Sequence, residues 1–136
     1  MRILGLDYGD ARTGVAVSDL LGITAQGVES IKHGENQKIL LARIKEIIAE
    51  YKVEKIVIGY PLNMNATKGP RAEKTDKFIK KLEDEFKLEV IKIDERLTTV
   101  AAHRTMTTLS VSKDKKKNIV DTISAQYILQ MYLDRA

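Results

Sequence analysis

Cysteine is absent from these 136 residues, which excludes disulfides and thiolate metal sites. No apolar run approaches the length of a membrane span, and the N-terminus carries no signal-peptide pattern. A cytoplasmic location, away from membranes, is therefore the expectation. Histidine is scarce, and neither His33 nor His103 sits in a context that assigns it a role. No linker, repeat or low-complexity segment divides the chain. It reads as one domain, residues 1–136, large enough for a real hydrophobic core. Hydrophobic content of 43% and charged content of 31% describe a globular protein rather than a disordered one.

The net charge of +4 mildly favours a polyanionic partner but decides nothing alone. The basic residues cluster in two places. Lys113, Lys115, Lys116 and Lys117 precede the last helix, in a segment that reads as a loop. Lys74, Lys77, Lys80 and Lys81 recur along an earlier helix, where an ordinary solvated face accounts for them.

Apolar patterning gives the element order β-β-β-α-β-α-β-α-α. Residues 2–8 and 13–18 read as a hairpin, with Gly9, Asp10 and Arg12 in its turn. A third strand is expected within 24–33. Ile39, Leu40, Ile44, Ile47 and Ile48 recur at helical spacing between Glu35 and Tyr51. Residues 55–59 form a short buried strand, and a loop runs from Tyr60 to Gly69. Pro70 suits the first position of a helix reaching about Phe86. Leu88–Ile93 is another strand, followed by a helix over 99–109. Residues 110–117 read as loop, and Asn118 as the cap of a final helix ending near Leu133. Strands alternating with helices imply parallel pairing through crossovers. The fold class is thus α/β: a mixed five-stranded sheet with helices on both faces.

Asp7 stands apart from this framework. It ends an apolar strand, Ile3-Leu4-Gly5-Leu6-Asp7, that runs into Gly9. A carboxylate among branched aliphatics is costly unless it is paired or binds a cation. Alternation places Ile3, Gly5 and Asp7 on one face and Leu4, Leu6 and Tyr8 on the other. Capping the turn is the alternative role for Asp7. Gly9 and Gly14 permit close backbone approach, which suits a phosphate-bearing ligand, and Arg12 is placed to contact the same phosphate.

Two further carboxylate sources lie downstream. In Asp94-Glu95-Arg96 neighbouring side chains face opposite ways, so only one acid can join Asp7, and Glu95 is preferred. Arg96 can orient a carboxylate or bind phosphate. Thr98 and Thr99 read as caps for the following helix. Asp121 shares a helix face with Ser124, Ala125, Ile128 and Tyr132. Its small neighbours would let the helix come close to a sheet. The alternative is an acid in a first helical turn, satisfied by the helix dipole. Three carboxylates from separate elements suit Mg²⁺ or Mn²⁺. Two such ions about 3.5–4 Å apart support phosphodiester hydrolysis without a catalytic histidine.

Four ordered stretches resemble one known family. Leu4–Gly9 with Arg12–Asp19 is similar to the first motif of the YqgF (RuvX) proteins. Gly59–Met64 with Gly69-Pro70-Arg71-Ala72 resembles the second, Asp94–Thr99 the third, and Val120-Asp121 with Ala125–Gln130 the fourth. The resemblance implies a ribonuclease H-like fold related to the Holliday-junction resolvases. It also implies a cytoplasmic nuclease that matures the 5′ end of pre-16S rRNA. The family's acidic triad falls on Asp7, Glu95 and Asp121. The Tyr60–Gly69 loop, with Asn63, and Arg71 become candidates for substrate contact, beside Gly9, Arg12, Arg96 and Lys116. Two departures stand out. Asn65-Ala66 replaces a common Asp-Gly, and lysines 115–117 replace frequent arginines, which keeps charge but loses bidentate phosphate recognition.

The leading expectation is a Mg²⁺- or Mn²⁺-dependent endonuclease for structured RNA, a monomer or weak homodimer. Its rivals are a DNA junction resolvase built on the same carboxylates and a non-catalytic ribosome-assembly factor that binds RNA. An actin-like ATPase or sugar kinase also begins with an Asp-x-Gly hairpin, but such proteins need a second lobe.

Overall fold

The structure is a computed structural model that describes residues 2–62, 65, 67–94 and 113–135. The expected helix over 99–109 lies outside the described residues. The elements are β1 (Arg2–Tyr8), β2 (Arg12–Ser18), β3 (Ala25–Lys32), α1 (Gln37–Tyr51), β4 (Val53–Tyr60), α2 (Pro70–Phe86), β5 (Glu89–Asp94) and α3 (Lys113–Arg135). One five-stranded sheet has the order β3-β2-β1-β4-β5. β2 is antiparallel to both β1 and β3, while β4 is parallel to both β1 and β5. The hairpin at one edge and the crossover strands at the other make it the expected mixed sheet.

Strand alternation sorts the apolar residues into two layers. Leu4, Leu6, Val15, Val17, Ile56 and Ile58 pack under α1 and α2, against Leu40, Ile44, Ile47, Phe78 and Leu82. Ile3, Ala16, Val57 and Ile93 face the other way, onto Ala125, Ile128, Leu129 and Leu133 of α3. Helices therefore cover both faces. Small residues on the second face bring α3 close: a Cβ on Gly5 would stand 2.7 Å from the Leu129 Cβ.

α1 starts at Asn36, whose side chain accepts from the amides of Lys38 and Ile39. α2 starts at Pro70, as the sequence predicts, with Gly69 as an N-cap that makes no side-chain bond. Two expectations are corrected. Tyr60 belongs to β4 rather than to the loop, because it pairs with Asp94 of β5. The last helix begins at Lys113, not Asn118. Lysine is a good helix former, and a run of charge does not by itself break a helix. Lys113–Lys117 are thus helical, Asn118 is not a cap, and Asp121 lies about two turns inside α3 rather than in its first turn. Among the described residues, no helix is long and apolar enough to cross a membrane.

Candidate active site

The site is built on a row that crosses three strands. Asp7 of β1 is the register partner of Gly14 in β2, and Gly14 is the partner of Ser30 in β3. Asp7 has the parity of Ile3 and so lies on the α3 side of the sheet. α3 descends onto this row at Asp121. A Cβ on Gly14 would stand 2.0 Å from the Asp121 carbonyl oxygen. Only glycine lets the helix backbone settle there. The close approach that the sequence attributes to a ligand at Gly14 is an approach of α3 itself.

Asp121 is held by the two strands beneath it. Arg12 Nε lies 3.0 Å from Oδ2, and the Ser30 hydroxyl donates to the same oxygen at 3.0 Å. The Arg12 and Asp121 side chains are 25% and 20% exposed, so the pair faces solvent from a half-buried position. Arg12, the first residue of β2 rather than a turn residue, shares the parity of Gly14 and reaches up to α3. Both described partners of Asp121 use Oδ2.

The third acid, Glu95, lies outside the described residues, as do Asn63 and Arg96. Asp94 is exposed at the end of β5. It has the parity of Lys92, whose Nζ is 3.1 Å from Asp76 of α2. Asp94 is therefore on the α1–α2 side, opposite Asp7. Among the described residues, no group of three or more His, Asp or Glu is placed to hold a metal. Two hard carboxylates, Asp7 and Asp121, are described at one end of the sheet, a donor type that fits Mg²⁺ or Mn²⁺.

The remaining described candidates lie in the β1–β2 turn, α2 and α3. A Cβ on Gly9 would stand 2.6 Å from the Arg12 carbonyl oxygen, so the tightness of the β1–β2 turn itself demands glycine. Arg71 is exposed in the first turn of α2 and lines a small notch with Gly9 and Asp10. Lys116 is in α3, N-terminal to Asp121. His33 is buried, with Nε2 2.9 Å from Thr13 Oγ1 and Nδ1 2.6 Å from the Gly34 carbonyl oxygen; those contacts make it a structural residue.

Sequence reasoning misses two features. Ser30 sits in the weakest strand signal, and nothing in its spacing points to Asp121. The second is a cluster at the root of the loop after β4. The Tyr60 hydroxyl donates to Asp76 Oδ2 at 2.8 Å, and Lys68 Nζ lies 3.6 Å from the same oxygen. Lys92 and Lys68 also stand 4.7 and 5.8 Å from the Tyr60 ring centroid. Burial pushes the Asp76 carboxyl up, but the Tyr60 hydroxyl, Lys92 and Lys68 together hold it below its ordinary value of 3.8. A bridge between Leu62 and Lys68 closes the loop above this cluster.

Comparison with known proteins fits this arrangement. The sequence profile of the RuvX family, described as Holliday junction resolvase, matches residues 1–135. The chain belongs to the RuvX family. A protein of Ruminiclostridium cellulolyticum named "Putative pre-16S rRNA nuclease" is 62% identical over 135 residues, covering 99% of this chain and 95% of its own. One of the same name from Acetivibrio thermocellus is 53% identical, covering 98% and 96%. Among solved structures, RuvC of T. thermophilus in complex with a Holliday junction superposes with a TM-score of 0.63 at 14% identity, over 99% of this chain and 95% of that one. The Fowlpox virus resolvase gives 0.59 at 12% identity, over 99% and 98%. These likenesses show the fold, which is ribonuclease H-like as the four sequence motifs imply.

Proposed function

We propose that this RuvX-family chain is a single-domain cytoplasmic nuclease. It hydrolyses phosphodiester bonds in structured RNA, with the 5′ end of pre-16S rRNA as its substrate and Mg²⁺ or Mn²⁺ as its cofactor. The observation that carries the reading is the row Asp7–Gly14–Ser30 beneath Asp121, which brings two carboxylates from distant parts of the chain to one end of one sheet face. The names of relatives more than half identical select RNA.

Asp7, Glu95 and Asp121 form the metal-holding set. The family resemblance of Asp94–Thr99 supports Glu95, and within β5 Ile91 and Ile93 pack on the α3 side while Asp94 alternates away. Bound there, a divalent ion would supply Lewis acidity for the attacking water and the leaving oxygen. Arg12 and Ser30 fix the Asp121 carboxylate through Oδ2 and keep its charge compensated. Gly9, Arg71, Asn63, Arg96 and Lys116 contact the substrate, the cations among them by charge-assisted bonds to phosphate.

The test compares wild type with Asp7→Asn on a labelled pre-16S rRNA fragment and on a four-way DNA junction, in Mg²⁺ and in Mn²⁺. The substitution keeps size and removes charge. It is expected to reduce metal-dependent RNA cleavage by more than about 10²-fold, since even outer partners of metal ligands cost 10–100-fold. Undiminished cleavage by the variant would sink the assignment. The family's description favours a second reading, and preferential cutting of the junction would select it. Salt-dependent RNA binding with no cleavage would instead indicate a non-catalytic assembly factor.

A further inference from the structure

We propose that the cleft between α1 and α2 is a second phosphate-backbone site, which holds the nucleic-acid strand as it leads away from the candidate active site. The inference rests on the nuclease reading above for its ligand, and on separate residues for its evidence. The cleft has a volume of about 420 Å³ and is lined by Lys74, Lys77 and Lys81 of α2, by Gly34, Glu35 and Gln37 at the start of α1, and by Tyr8 and Asp10.

The three lysines are spaced i, i+3 and i+7, which puts them within roughly 60° of one another around the helix. They span roughly 10 Å of helix, the scale of a short run of successive phosphates. Their charges are poorly compensated. Lys77 has no acidic partner among the described residues. Lys81 donates to the amide oxygen of Gln37, a neutral acceptor. Lys74 pairs with Asp10 at 3.3 Å, but those side chains are 63% and 69% exposed, so the pair is weak and readily exchanged for a phosphate. Glu35 is the other carboxylate of the lining, which leaves three ammonium groups against two acids.

A solvated helix face would not explain why these lysines line a concave surface bounded on its far side by Gly34, Glu35 and Gln37. The surface is also braced from beneath. Tyr8 stacks on Phe78 with ring centroids 4.2 Å apart, and Gln37 Nε2 donates to the Tyr8 hydroxyl at 2.7 Å. It reaches the β1–β2 turn, next to the end of the sheet that carries Asp7. Asp10 belongs to the turn that follows Asp7, and a notch lined by Gly9, Asp10, Arg71 and Lys74 adjoins the cleft. α2 also begins there without a side-chain cap, so its first amides add positive potential. A strand engaged at Asp7 and Asp121 on one face can thus cross the β1–β2 turn at Gly9 and run along the lysines on the other.

The experiment measures salt-dependent binding in the Asp7→Asn background, where no cleavage intervenes. The probes are a labelled pre-16S 5′-end RNA with long flanks and a short oligonucleotide carrying only the cleavage position. The variants are K74Q/K77Q/K81Q and K74R/K77R/K81R. The glutamine variant is expected to lower the slope of log K against log salt by roughly 2 for the flanked RNA and to weaken its binding by about tenfold or more. The short probe should bind as before, and arginine should restore the slope. An unchanged slope, or equal loss on both probes, overturns the proposal. Cleavage by the protein with Asp7 intact is scored separately, so failure of the nuclease reading and failure of the cleft give different results.

Discussion

Replacing Gly14 by alanine should separate the two carboxylates without touching either. The new Cβ would stand 2.0 Å from the Asp121 carbonyl oxygen, 2.5 Å from its carbonyl carbon and 3.2 Å from its Cα. These atoms are helix backbone, so no side-chain rotation relieves the contact. The closest approach is roughly 1 Å inside what carbon and oxygen tolerate, and α3 must lift from β2 by about that distance. The lift acts at Asp121, while Ile128, Leu129 and Leu133 further along α3 keep their apolar partners. The fold should therefore survive with a loss of about 2–3 kcal/mol, in the upper range for overpacking. Cleavage should suffer more, because a displacement of about 1 Å in a catalytic constellation can cost 10²-fold. Urea unfolding gives the first quantity and initial cleavage rates the second. Gly22→Ala is the control. Gly22 has φ +71° and open space within 4 Å of where a methyl would stand, so its cost of about 1 kcal/mol is local backbone strain and its cleavage rate should stay at the wild-type level. Wild-type stability and wild-type cleavage in Gly14→Ala would refute the reasoning that α3 seats on that glycine.

Asp76 and Ser124 give two further outcomes. The Asp76 carboxyl is held below 3.8 by its partners; with a depressed folded value, its contribution is present above that pH and is lost as pH falls through the folded value. Asp76→Asn should therefore flatten the acid limb of the urea midpoint below about pH 4 and loosen the loop after β4, and an unaltered acid limb would remove Asp76 from the account. Ser124 lies on the buried side of α3, and its hydroxyl has no hydrogen-bond partner among the described residues. Ser124→Ala should raise stability by about 1 kcal/mol in the same denaturation assay, and a loss of that size would show that the hydroxyl is bonded.

What can be read from the chain and what cannot divide along a physical line. Alternation in β1 is local: Leu4 and Leu6 on one side and Ile3, Gly5 and Asp7 on the other follow from strand geometry alone, and the two apolar layers obey it. The bounds of α2 are local as well, since Pro70 fixes the start and the spacing of Phe78 and Leu82 fixes the buried face. The start of α3 is hidden because lysine-rich sequence is compatible with both loop and helix, and charge alone does not choose between them. The Arg12–Asp121 and Tyr60–Asp76 pairs are hidden for a different reason. Each joins residues whose neighbours in sequence say nothing of one another, and only the crossover topology brings them together. Gly14 shows how the two kinds of information meet. Its lack of a side chain is visible in the sequence and means room for something close, but whether a ligand or a helix fills that room is decided by the register of β1, β2 and β3 and by the path of α3. The same register supplies the positive argument for the site: a glycine that admits a helix backbone next to an aspartate in the neighbouring strand is needed for Asp121 to stand beside Asp7, and a larger residue there would forbid it.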